Sequence, residues 1–225
     1  IEMLKKIMKK VINNYLNQYK EVFSEELYFE KSIENSNDVS KSSDQLQKYY
    51  NKIKNCMICP LGKSRKNFVF GVGNPNSDIV FVGEAPGKNE DLLGEPFVGR
   101  GGKLLDKILA AINLSRDKVF ILNVLKCRPP ENRDPKSDEI EKCEPYLKKQ
   151  LEIINPKLIV ALGRISAMTL LRTKDSLTNM RKNIYKYEGI DFLATYHPAA
   201  LLRNPNFKKF AWDDFKKIRD NYINA

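Results

Sequence analysis

From residue 66 onward, short apolar runs alternate with stretches of helical periodicity, and this alternation restricts the fold more than any other feature of the chain. The runs at Asp78 to Val82, Val119 to Asn123, Lys157 to Leu162 and Asp191 to Thr195 have the length and uniform apolarity of strands buried on both faces. Helical patterns follow or separate them at about 102–112, 137–154, 165–171 and 206–222. Strand and helix in turn predict α/β layering around a mainly parallel sheet. In such sheets ligands bind beyond the carboxyl ends of the strands, so those ends are where chemistry is sought.

The first fifty residues differ. Apolar residues at Leu4, Ile7, Met8, Val11, Ile12, Leu16, Tyr19 and Phe23 recur every three or four positions, which predicts an amphipathic helix over about 2–23 within a helical extension spanning 1–31. It would pack on the main domain or dock a protein partner. The Ser-, Asn- and Asp-rich stretch 32–44 reads as a linker, and residues 45–225 as the main domain. Asn13, Asn14 and Gln18 interrupt any signal-peptide core, so a cytoplasmic protein is expected. No apolar run approaches the roughly 20 residues of a membrane helix.

Charge sharpens this division. Lys and Arg number 39 against 28 Asp and Glu, a net +11. Residues 1–50 hold eight of each sign, so the whole excess belongs to residues 51–225. A polyanion, nucleic acid first, is the partner such a surface attracts.

The four cysteines are Cys56, Cys59, Cys127 and Cys143. The C-x2-C pair lets two thiolates converge on one metal or cluster, and the second pair must reach it by folding: Cys127 follows a predicted strand, Cys143 lies in a predicted helix. Ligand count alone does not separate zinc from an iron-sulfur cluster.

At the strand ends stand Gly83-Glu84-Ala85-Pro86-Gly87, then Asn123, then Gly163-Arg164-Ile165-Ser166, then Tyr196-His197-Pro198, with His197 the single histidine of the chain. The glycine-rich turn is neither a dinucleotide fingerprint nor a P-loop, and Pro86 lacks the amide a phosphate would want. It offers a carboxylate on a tight turn near an amide and an imidazole.

These motifs, with Glu90-Asp91, Pro96-Phe97-Val98-Gly99, Asn123-Val124-Leu125-Lys126-Cys127-Arg128-Pro129-Pro130 and His197-Pro198-Ala199, resemble the iron-sulfur (family 4) uracil-DNA glycosylases over about residues 50–220. Family 5 enzymes have Ala at the position of Gly87, and the covalently trapping relatives carry a His-bearing basic insertion absent after Phe97. The resemblance implies a three-layer α/β sandwich with a mainly parallel central sheet, here with an N-terminal helical extension. It implies a monomer acting on uracil-containing DNA by base excision, and a 4Fe-4S cluster on Cys56, Cys59, Cys127 and Cys143.

On this reading Phe97 stacks on the flipped base, Asn123 reads uracil N3-H and O4, and His197 stabilises charge developing on O2. Glu84 orients water or offsets the sugar's cationic character. The Ala85 amide holds O2, and Glu90 fences the C5 edge against a methyl group. Leu201, Leu202 and Arg203 form a wedge, while Lys103, Arg164 and Ser166 contact phosphate. The competing readings are a non-catalytic DNA-binding module with a structural four-cysteine metal site, which has no need for Glu84, Asn123 and His197 together, and a nucleotide hydrolase, which the missing phosphate loop disfavours.

Overall fold

The computed structural model of the chain describes residues 36–223, with side chains from residue 41. The extension read over 1–31, its amphipathic helix and any partner it docks lie outside the described residues, as does the start of the predicted linker.

Each of the four apolar runs forms a strand, and two short strands add the sheet edges. In chain order they are β1 (Val72–Gly73), β2 (Ile79–Gly83), β3 (Phe120–Asn123), β4 (Leu158–Leu162), β5 (Tyr185–Tyr187) and β6 (Ile190–Thr195). The order across the sheet is β1-β3-β2-β4-β6-β5. The inner four are mutually parallel, and β1 and β5 pair antiparallel at the edges. β1 and β5, of two and three residues, are too short to carry a period that sequence alone reveals.

Side chains alternate across the sheet, so two cores form. Val80, Val82, Leu122, Ile159 and Ala161 face one way and pack on Leu147, Leu151 and Ile154 of the helix Ser137–Ile154. Ile79, Phe81, Ile121, Val160 and Leu162 face the other way, against Leu105 and Leu109 of the helix Arg100–Ala111 and against Phe215 and Ile218. Helix, sheet and helix make the expected three layers. The remaining helices are Ser36–Ile53, Leu61–Ser64, Lys88–Leu93, Arg164–Leu171, Leu177–Met180, Pro198–Arg203 and Lys208–Ile218. In chain order the helices are α1 (Ser36–Ile53), α2 (Leu61–Ser64), α3 (Lys88–Leu93), α4 (Arg100–Ala111), α5 (Ser137–Ile154), α6 (Arg164–Leu171), α7 (Leu177–Met180), α8 (Pro198–Arg203) and α9 (Lys208–Ile218). The helix expected over 206–222 divides into a 3-10 turn, α9 and a terminal π turn.

The linker expectation over 32–44 is corrected from residue 36, where α1 begins. Leu46, Tyr49, Tyr50 and Ile53 fall on one face at helical spacing. Leu46 and Ile53 are buried, and Tyr50 meets Phe70 edge-on with ring centroids 5.3 Å apart. With that face anchored, helix propagates back through polar residues that have nothing of their own to bury.

The chain goes from β2 to β3 on one side and then crosses back over β2 to β4, so the order in which strands are added reverses between β2 and β4. The crevice beyond the carboxyl end of β2, at this reversal, is the place such a sheet offers a ligand.

Candidate active site

Gly83 ends β2 directly opposite Asn123, the last residue of β3. A Cβ on Gly83 would collide with Asn123 Oδ1 and lie 2.7 Å from Phe97 Cζ. Absence of a side chain here lets an amide and an aromatic ring converge above the end of the central strand.

Phe97 has φ 55°, the left-handed region that a bulky residue enters at a cost of order 1–3 kcal/mol. Its surroundings hold it there. Glu90 Oε1 accepts from the Val98 amide at 3.0 Å and the Gly99 amide at 2.9 Å. Arg116, paired with Asp106 at 2.6 Å, donates to the carbonyls of Pro96 at 3.1 Å and of Phe97. Gly102 in α4 has no Cβ, which leaves room for the Phe97 carbonyl. Glu90 lines the cavity, but one of its oxygens is committed to shaping the Phe97 turn.

His197 caps α8, its Nδ1 accepting from the Ala199 amide at 3.1 Å. Nδ1 as acceptor places the proton of neutral imidazole on Nε2. Burial, with Arg203 nearby, pushes its pKa down to about 4, so the ring is neutral across the physiological range. The Phe97 and His197 rings stack with centroids 5.3 Å apart and 25° between planes. Glu84 shifts the opposite way. Burial, then the like charge of Asp134, raises its pKa to about 7, against the pull of Arg164.

Glu84, Ala85, Glu90, Phe97, Asn123 and His197 thus line one cavity of about 630 Å³, with Arg164 and Arg203 on its wall. Three of the DNA-contact expectations fare differently. Ser166 is fully buried and donates its hydroxyl to the Gly163 carbonyl at 3.1 Å, closing the first turn of α6 instead of meeting phosphate. Leu201 is 1% exposed, packed with Tyr196 and Ala211, so it is core and not wedge. Lys103 is exposed on α4 but is not among the cavity's lining residues. Leu202, 39% exposed, keeps an apolar tip in solvent.

Sequence reasoning missed Asp134 and Arg133. They lie on the proline-rich loop after Cys127 and reach the cavity wall because Arg133 grips Glu139 with two hydrogen bonds, of 2.6 and 2.9 Å. Their position downstream of a strand's carboxyl end was the one available signal. Tyr196 and Phe207, stacked at 4.5 Å, were missed too.

The four cysteines line a second, small cavity. Cys56 and Cys59 lie between α1 and α2, Cys127 follows β3, and Cys143 is in α5. Arg65 donates to Cys127 Sγ at 3.3 Å, the Lys126 amide to Cys143 Sγ at 3.3 Å, and the Tyr146 hydroxyl to Cys56 Sγ at 3.2 Å. Donors aimed at three sulfurs suit thiolates, the form in which cysteine binds a metal or cluster. Among the described residues no three His, Cys, Asp or Glu side chains close on a single metal ion. The four cysteines, soft donors around one space, are the residues that could hold a metal or a cluster. Among the described residues no helix is long and apolar enough to cross a membrane.

A family model described as the uracil DNA glycosylase superfamily matches residues 70–216. The chain is 47% identical over 183 residues to a type-4 uracil-DNA glycosylase of Archaeoglobus fulgidus, covering 78% of this chain and 92% of that protein. It is 49% identical over 186 residues to a type-4 uracil-DNA glycosylase of Sulfurisphaera tokodaii, covering 79% and 84%. A type-5 uracil-DNA glycosylase of Pyrobaculum aerophilum matches at 27% over 186 residues, covering 68% and 82%.

Proposed function

The chain belongs to the uracil DNA glycosylase superfamily, and we propose that it is a DNA-repair glycosylase of the type-4 kind that flips uracil out of DNA and hydrolyses its N-glycosidic bond. The observation that carries this reading is the convergence of Asn123, Phe97, His197 and Glu84 in one cavity at the turning point of the sheet.

In the proposed mechanism Phe97 gives the flipped base a face on which to stack. Asn123 accepts from uracil N3-H and donates to O4, a pairing that cytosine, with an acceptor at N3 and a donor at C4, cannot match. Cleavage sends the bonding electron pair to N1 and, by delocalisation, to O2. Neutral His197 donates from Nε2 to that oxygen, joined by the Ala85 amide, so negative charge develops against donors already in place. The sugar becomes cationic at C1′ and takes hydroxide from water. Glu84, as carboxylate, offsets that cation and accepts from the attacking water. Glu90 braces the Phe97 turn and fences the C5 edge of the base. Arg164 and Arg203 contact phosphate and Leu202 fills the gap left by the base, Lys103 adding to the basic surface beyond.

Cys56, Cys59, Cys127 and Cys143 would hold a 4Fe-4S cluster, which would tie the segment between α1 and α2 to the end of β3 and to α5. We propose that the enzyme works as a cytoplasmic monomer on DNA.

The test is release of uracil from a labelled oligonucleotide holding a single uracil, with iron measured on the same preparation. Uracil release with an alkali-labile abasic product, lost in Asn123→Ala while iron is kept, is expected. DNA binding without release would leave the silent DNA-binding module as the better reading.

A further inference from the structure

The segment that carries Asn123 runs directly into the four-cysteine site, and Lys126 lies between them. This lysine is wholly buried, at 0% exposure. Its Nζ donates to the Asn123 carbonyl at 2.8 Å, while its own amide donates to Cys143 Sγ at 3.3 Å. Its carbonyl accepts from the Val69 amide at 2.9 Å, so the backbone at this point is fixed as well.

A buried ammonium without a counter-charge is among the costliest groups a protein can hold. The lysines that pair with carboxylates among the described residues are others: Lys142, Lys148, Lys149, Lys157, Lys186 and Lys216. A cysteine that binds metal does so as thiolate. The backbone amide of Lys126 therefore holds a sulfur of the four-cysteine site, while its side chain grips the backbone of the base-reading residue.

We infer that Lys126 is a positioning residue that ties the four-cysteine site to recognition of the base. With its amide on Cys143 Sγ and its Nζ on the Asn123 carbonyl, it fixes the end of β3 and with it the direction of the Asn123 carboxamide beside Gly83. The inference rests on the base-reading role of Asn123 and on cluster binding by the cysteines, and it assigns the metal site a second consequence, the precision of the reading.

The experiment compares the iron-loaded wild type with Lys126→Met, which keeps the length of the chain and removes charge and donor. Affinity is measured for a duplex containing 2′-fluoro-2′-deoxyuridine, whose glycosidic bond resists cleavage, and for the same duplex containing thymidine. Iron content and circular dichroism are recorded alongside. Lys126→Met is expected to keep its iron, its native spectrum and its affinity for the thymidine duplex, and to lose about tenfold or more of its preference for uracil, the size of effect expected from losing a charged hydrogen bond. An unchanged preference in the folded variant overturns the inference, as does an equal loss on both duplexes. If Lys126→Met does not fold, the preference of the wild type is read before and after iron chelation at a temperature where the native spectrum persists. A fall supports the link and a constant ratio overturns it. A wild type that shows no preference for uracil would instead defeat the reading of Asn123 itself.

Discussion

Gly83 and Asn123 are register partners at the carboxyl ends of two parallel strands, and the space that a Gly83 side chain would fill is taken by the Asn123 carboxamide oxygen and the edge of the Phe97 ring. Gly83→Ala should therefore displace both at once. Loss of uracil release by about a hundredfold or more, with affinity for uracil-free DNA unchanged, is expected in an oligonucleotide assay, because misplacing contacts by about an ångström has that consequence. Activity near wild type would show that the two side chains do not need this approach.

Glu84 gives a pH dependence of definite sign. Its pKa stands near 7, well above the usual carboxylate range, because burial and Asp134 disfavour its charge. If the carboxylate is the working form, activity rises as pH is taken up through about 7, while His197, neutral above about 4, contributes no limb over that range. Asp134→Asn removes the like charge and should move the rise to lower pH. A profile flat from pH 5.5 to 8.5 in the single-turnover rate would oppose the role given to Glu84.

The same shift bears on stability. Between the ordinary carboxylate pKa and about 7 the folded protein holds a proton on Glu84 that the unfolded chain does not, so this group's contribution falls as pH rises through that window. Glu84→Gln should consequently raise the melting temperature at pH 8 and change it little at pH 4.5. The gain is about 1 kcal/mol after allowance for solvent at the open mouth of the cavity. Equal effects at both pH values would mean that packing, and not charge, is what the substitution alters.

At the end of β6, two residues before His197, the Thr195 hydroxyl donates to Asp214 at 2.7 Å, and Asp214 pairs with Arg181 at 2.6 Å, both side chains of the pair being largely buried. Arg181 in turn covers the Tyr196 ring at 4.6 Å. Asp214→Ala leaves a buried cation without its partner, which costs about 3–5 kcal/mol. Thermal denaturation should show a large drop, and the surviving folded protein should turn over more slowly because the Tyr196-His197 turn loses its support.

Binding to DNA should weaken steeply with salt. Arg164→Ala and Arg203→Ala, on the cavity wall, should each lower the slope of log affinity against log salt by about 1, and Ser166→Ala should leave it unchanged because that hydroxyl is bonded inside α6. Leu202→Ala should slow excision from duplex more than from single-stranded DNA, where no gap needs filling. A Ser166→Ala variant with a reduced slope would reinstate the phosphate contact.

The apolar runs at 78–82, 119–123, 157–162 and 191–195 by themselves determined the layered α/β fold, since residues apolar on both faces can be satisfied only in the middle of such a sheet. The ends of those runs likewise marked Glu84, Asn123 and His197, and the placement of Cys127 after a strand and Cys143 in a helix was legible from periodicity. Helix α1 was not, because its first residues are polar and its anchoring face is revealed only by what Leu46, Tyr50 and Ile53 touch. Nor could sequence separate Leu201 from Leu202 or judge Ser166. Neighbours on one helix share composition and flanks, yet the turn buries one leucine in the core and leaves the other in solvent. Asp134 and Lys126 lay equally out of reach. Their effects depend on burial and on charges brought close by folding, and electrostatic energies are set by distance and dielectric, which only the tertiary structure supplies.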